Sequence, residues 1–102
     1  MSTLHTVNKS PFATNALKSC LDHVSDGDSI LLIEDGVYGA SNNSAMADMV
    51  KAKMKQISII ALKPDLDARG IDETRLLEGI STTDYAGFVE MAAKHDLNQA
   101  WL

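Results

Sequence analysis

Two short apolar runs, SILLI at residues 29–33 and ISIIAL at residues 57–62, constrain this chain more than any other feature. A strand with one wet face alternates apolar and polar residues. These runs do not alternate, so each predicts a strand covered on both faces, as in a parallel sheet held between helix layers. Segments of helical spacing lie between and beyond them. Ala13, Ala16, Leu17, Cys20, Leu21 and Val24 recur three and four apart, as do Met46, Met49, Val50 and Met54, and then Tyr85, Phe88, Val89 and Ala92. Strands alternating with helices in this way predict right-handed crossovers and helices on both sides of the sheet.

Punctuation residues divide the chain further. Residues 3–7 are short and β-prone. Ser10-Pro11 predicts a helix start, with Ser capping and Pro at the first helical position. Asp26-Gly27 predicts its end. Glu34-Asp35-Gly36 breaks the first apolar run, and a polar loop over 39–44 precedes a helix over 45–55. Pro64 opens a short turn or helix that Gly70 stops. A short strand is expected within 76–81, and Thr82 or Thr83 is expected to cap the last helix. Asp96 marks its exit, and residues 99–102 read as a terminal edge strand. The expected architecture is α/β: a three-layer sandwich with a mostly parallel five-stranded sheet and helices on both faces, in a single domain over residues 1–102.

A chain of 102 residues can close one modest core without disulfide or metal staples. Its net charge of −5 argues against a nucleic-acid surface, which needs clustered Lys and Arg. Lys51, Lys53 and Lys55 read as a solvated helix face. The single cysteine cannot form an internal disulfide, so the fold does not require an oxidising compartment. The first residues lack an apolar core of signal-peptide length, and no apolar run approaches a membrane span. The cytoplasm is therefore the expected location, with no membrane association.

Cys20 is the strongest nucleophile candidate. A sulfur carrier needs an accessible thiolate, and His23, three positions on, is placed to sit beside Cys20 and favour that form. Other features oppose it. Cys20 lies in the second half of its helix, where the dipole disfavours anions. Asp22 and Asp26 are near, and its place on the apolar stripe suits a packed thiol. Asn8-Lys9-Ser10-Pro11 joins a strand to a helix start and offers backbone amides to an anion, or simply a cap and a solvated lysine. The loop is short and has no glycine, which argues against a flavin phosphate site. Glu34-Asp35 resembles part of a phosphoacceptor site, but the other acidic position is missing, and a polar strand end with a turn at Asp35-Gly36 accounts for it. His5, His23 and His95 lack metal-ligand spacing. No Walker loop, GxGxxG or GxSxG is present. No cofactor is expected. Tyr38 and Trp101 are large aromatic anchors, expected either to close the core or to enter a partner.

The stretches LHTVNKSPF (4–12), GDSILLIEDGVYGA (27–40), ALKPDLDARG (61–70), DYAGFVEM (84–91) and QAWL (99–102) together resemble the TusB/DsrH family, in family order and from end to end. The wording NKSPF, DYAGF and QAWL, with Cys20 at the first-helix position where DsrH forms carry a cysteine, is most similar to DsrH. The resemblance implies a DsrE-like fold. It also implies a dimer of heterotrimers with DsrE/TusD-like and DsrF/TusC-like subunits, which passes persulfide sulfur to a DsrC/TusE-like carrier. In DsrEFH the context is sulfur oxidation, which is the function expected here. The alternatives are a TusB-type subunit for 2-thiouridine at the tRNA wobble position, or a non-catalytic structural subunit. In the family the principal persulfide cysteine belongs to the DsrE/TusD subunit, and this chain supplies no equivalent. Little or no activity is expected of it alone. Direct nucleic-acid binding is not expected.

Overall fold

The computed structural model describes residues 2–102. Its elements, in chain order, are β1 (Thr3–Val7), α1 (Ala16–His23), β2 (Ser29–Leu32), a 3-10 helix (Glu34–Ala40), α2 (Ala47–Lys53), β3 (Ser58–Leu62), α3 (Lys63–Ala68), a 3-10 turn (Glu73–Arg75), β4 (Ser81–Thr83), α4 (Tyr85–Lys94) and β5 (Leu97–Trp101). The five strands form one sheet in the order β4-β3-β2-β1-β5, and every pairing is parallel. The chain steps outward from β1 to β4 and then crosses back under the sheet to add β5 beside β1. Right-handed crossovers therefore place α1, α2 and α3 on one face and leave α4 alone on the other.

The two apolar runs behave as their composition demands. Ile30, Leu32, Ile59 and Ala61 join Val7 in the larger core, against Leu17, Cys20 and Leu21 of α1, Val37 and Ala40 of the 3-10 helix, Val50 of α2 and Leu66 of α3. Leu4, Leu31 and Leu62 point to the opposite face and are also buried. Among the described residues no helix is long and apolar enough to cross a membrane.

Several boundaries differ from the sequence expectation. Ser10 does not cap α1. Its side-chain oxygen accepts the Phe12 amide at 3.1 Å and its carbonyl accepts from Ala13, closing a separate turn. The helix starts only at Ala16, whose amide donates to the Thr14 hydroxyl at 3.3 Å in a local bond that competes with helix continuation. The helix also stops at His23, before Asp26-Gly27. The expected loop over 39–44 is partly taken by the 3-10 helix, which packs tightly over β1: a Cβ on Gly36 would overlap the Val7 carbonyl oxygen. The strand expected in 76–81 begins at Ser81, after Gly79 turns the chain with a φ of 99°. Asp84, not Thr82 or Thr83, caps the last helix, its carboxylate accepting the Gly87 amide at 2.8 Å. Finally, the stripe on α4 is only half covered. Phe88 and Ala92 are half-buried, whereas Tyr85 and Val89 remain 60% and 68% exposed.

Candidate functional site

Cys20 stands on the second turn of α1 facing inward, and its exposure is 0%. Burial, and then the nearby Asp28 carboxylate, push its thiol up to about 12. Both causes act against the thiolate that sulfur acceptance requires. In this arrangement the cysteine is a small apolar packing residue.

Beside it lies a polar network that the sequence reading did not single out. His5 on β1 shares a face with Val7 and is 1% exposed. Its Nε2 is 2.9 Å from Asp28 Oδ2, and its Nδ1 accepts the Trp101 indole N–H at 3.0 Å. The indole can only donate, so Nδ1 carries no proton, and Nε2–H is left to donate to Asp28. Asp28 also accepts the Thr3 amide and the Ser25 amide, each at 3.0 Å. Burial by itself would raise the Asp28 carboxyl. The hydrogen bonds from Ser25, His5 and Thr3 outweigh that and hold it below its ordinary value. The network ties β1, the entry to β2 and the edge strand β5 together at one corner of the sheet.

His23 is exposed, and the structure brings its ring against Trp101 and His5, with centroids 5.5 and 6.3 Å apart. Trp101 is half-buried; its ring packs on the core while its N–H is spent on His5. Tyr38, also half-buried, stands on the 3-10 helix. One signal for the network was available in the sequence: a histidine at a core-facing position of a β-prone segment needs a partner, and Asp28 precedes the neighbouring strand.

The carboxyl ends of the strands, where α/β proteins generally bind ligands, are cross-linked internally. Glu34 has a φ of 49°, and its amide donates to Asp65 Oδ2 at 2.7 Å. Arg69 donates to Asp35 at 2.9 Å. The Asp35 carboxylate and the Glu34 backbone amide thereby hold the 3-10 helix against α3. Asn8 Oδ1, at the end of β1, is buried without a protein partner.

An all-parallel five-stranded sandwich with its one thiol sealed under a helix is the fold of a small α/β protein whose known relatives must define its chemistry. The chain belongs to the TusB/DsrH family: the family model described as DsrH like protein matches residues 9–98. Over 98 residues it is 35% identical to Protein TusB of Enterobacter sp. (strain 638), covering 96% of this chain and 99% of that one. The same figures hold for Protein TusB of Escherichia coli O81 (strain ED1a). Among solved structures, the ychN protein from E. coli superposes with a TM-score of 0.82 over 98% of this chain and 99% of its own, at 15% identity. A protein of unknown function from Methanobacterium thermoautotrophicum superposes with a TM-score of 0.75 over 97% and 96%, at 18% identity. These two likenesses bear on the fold alone.

Proposed function

We propose that the chain is a TusB-type subunit of a cytoplasmic sulfur-relay complex, and that it contributes surface and shape to the relay, not the sulfur-bearing thiol. The observation that carries this reading is the state of Cys20, fully buried and with its thiol pushed far above neutrality. Sulfur passes from a persulfide to an attacking thiolate, and a buried protonated thiol can neither attack nor be reached. The reactive cysteine then belongs to a TusD-like sister, with a TusC-like sister completing the assembly and a TusE-like carrier receiving the sulfur. The end point would be tRNA thiolation. The relatives named TusB weigh toward that branch, whereas sulfur oxidation rests on the NKSPF, DYAGF and QAWL wording and the cysteine at position 20.

The test is made on the assembled complex. After exposure to a persulfide donor, peptide mass spectrometry should find the extra sulfur atom on a sister chain and none on Cys20. Cys20→Ala should leave transfer to the carrier within about twofold of the parent. Sulfur on Cys20, or transfer abolished by Cys20→Ala in a complex that still assembles, would overturn the reading. The branch is decided by assaying wobble 2-thiouridine in cells lacking the gene.

A further inference from the structure

His5 is held at both ring nitrogens, and its two contacts respond oppositely to a proton. Nδ1 lies 3.0 Å from the Trp101 indole nitrogen, which can only donate, so that contact exists only while Nδ1 is bare. A proton there sets N–H against N–H. Nε2 lies 2.9 Å from Asp28 Oδ2. Despite its burial, Asp28 is held ionised below its ordinary value by the hydrogen bonds from Ser25, His5 and Thr3, and it is placed to balance an imidazolium. The other groups nearby do not substitute for either contact. From α1, exposed His23 meets the His5 ring edge-on, with centroids 6.3 Å apart. Cys20, its thiol raised by burial and by Asp28, stays uncharged. From β5 comes only Trp101, which carries no charge. His95 is spent elsewhere, on the Met91 carbonyl and the Ser29 hydroxyl. Among the described residues Asp28 is the one charged side chain in ion-pair contact with His5. The partner that must yield is also the less tightly held, because β5 is an edge strand paired with β1 alone.

We infer that His5 and Trp101 form a proton-operated latch: a second proton, taken from solvent at His5 Nδ1, expels the indole, and the Trp101 end of β5 loosens from β1. The only bond made is the new N–H, and the charge it brings is balanced by Asp28. The open state therefore holds one proton more than the closed state. The latch is complete where the ring is neutral and is lost as the pH falls, with the ratio of open to closed rising by up to about tenfold per pH unit. Histidine charge ordinarily changes between about pH 5 and about pH 8, so the device works at mild acidity. What opens is defined by the register and the packing. Trp101 sits opposite Val7, and its ring packs on the larger core and edge-on to His23, with centroids 5.5 Å apart. When the ring leaves, apolar surface beside Val7 and the otherwise buried His5 meet water on the His23 side. This inference does not depend on the sulfur-relay reading.

Trp101 is the one tryptophan of the chain, so its emission reads the latch without a label. In the full chain, lowering the pH from about 8 to about 5 should shift that emission to the red and open the ring to acrylamide, while far-ultraviolet circular dichroism holds. Over the same range the indole proton should exchange with water at least about tenfold faster. His5→Gln can give its amide N–H to Asp28 and its carbonyl to the indole, and it does not titrate, so its emission should stay flat. His23→Gln should keep the transition. The imidazole nitrogen resonances of the parent chain supply a measurement that needs no variant: His5 Nδ1 should pass from unprotonated to protonated in step with the emission. An emission and an exchange rate that do not move with pH would overturn the inference. So would a transition that survives in folded His5→Gln, one that vanishes in His23→Gln, or one that coincides with loss of the circular dichroism. A transition during which His5 Nδ1 stays unprotonated would overturn it as well.

Discussion

Replacing Asp28 by Asn removes one negative charge and changes almost no volume, yet it should be among the most damaging substitutions in the molecule. The carboxylate accepts from three donors: the Thr3 amide on one oxygen, the Ser25 amide and His5 Nε2–H on the other. An asparagine has one oxygen. Its best rotamer gives that oxygen to Ser25 and His5 and turns its own N–H group toward the Thr3 amide, donor against donor. His5 cannot relieve this by changing tautomer, because the Trp101 indole already occupies Nδ1. A stranded buried donor costs about 1–3 kcal/mol, and two bonds losing charge assistance add about 1 kcal/mol each. The total is about 3–5 kcal/mol, a large share of the roughly 5–15 kcal/mol that holds a domain of this kind together. At about 4–8 °C per kcal/mol, the melting temperature should fall by at least about 12 °C. The gap must also depend on pH. Because the folded Asp28 carboxyl lies below its ordinary 3.8, its contribution is complete above about pH 5 and disappears as the pH falls through the depressed folded value. Urea titrations of both proteins at about pH 7 and about pH 2 measure this directly. A neutral-pH difference under about 1 kcal/mol, or a gap of the same size at both pH values, would refute the account of the network.

Trp101→Phe keeps the ring against the core but strips the N–H from His5 Nδ1, and should cost about 1–2 kcal/mol in chemical denaturation; an unchanged midpoint would remove the latch from the description. Cys20 should resist alkylation in the native chain at about pH 8, where a thiol pushed up to about 12 is ionised in roughly one molecule in ten thousand, and should react at once in denaturant. Gly36→Ala drives a methyl group into the Val7 carbonyl and should lower stability by about 1–3 kcal/mol or prevent folding, seen as loss of the thermal transition or of soluble yield.

The two unbroken apolar runs and the helical segments around them were enough to read the parallel three-layer architecture, because continuous burial and helical periodicity are local patterns; the family was legible only through the resemblance of the five stretches between residues 4 and 102. Helix starts were less legible. Ser10-Pro11 and Thr82-Thr83 have the chemistry of caps, but which cap is used depends on where the preceding strand ends, and a competing turn won at Ser10 while Asp84 won at the last helix. The inward position of Cys20 followed from its stripe. The depth of its burial, and the charge of Asp28 beside it, did not.

What the sequence determined by itself was the repertoire: buried strands, amphipathic helices, one thiol and no compact catalytic motif. What only the tertiary structure decided was company. His5, Asp28 and Trp101 are separated by up to 96 positions along the chain, and they meet because the last crossover carries β5 back beside β1. Strand order is a long-range property, set by how all the helices share two faces of one sheet. For that reason no local pattern announces which polar side chains will be buried together, or which edge will be left open.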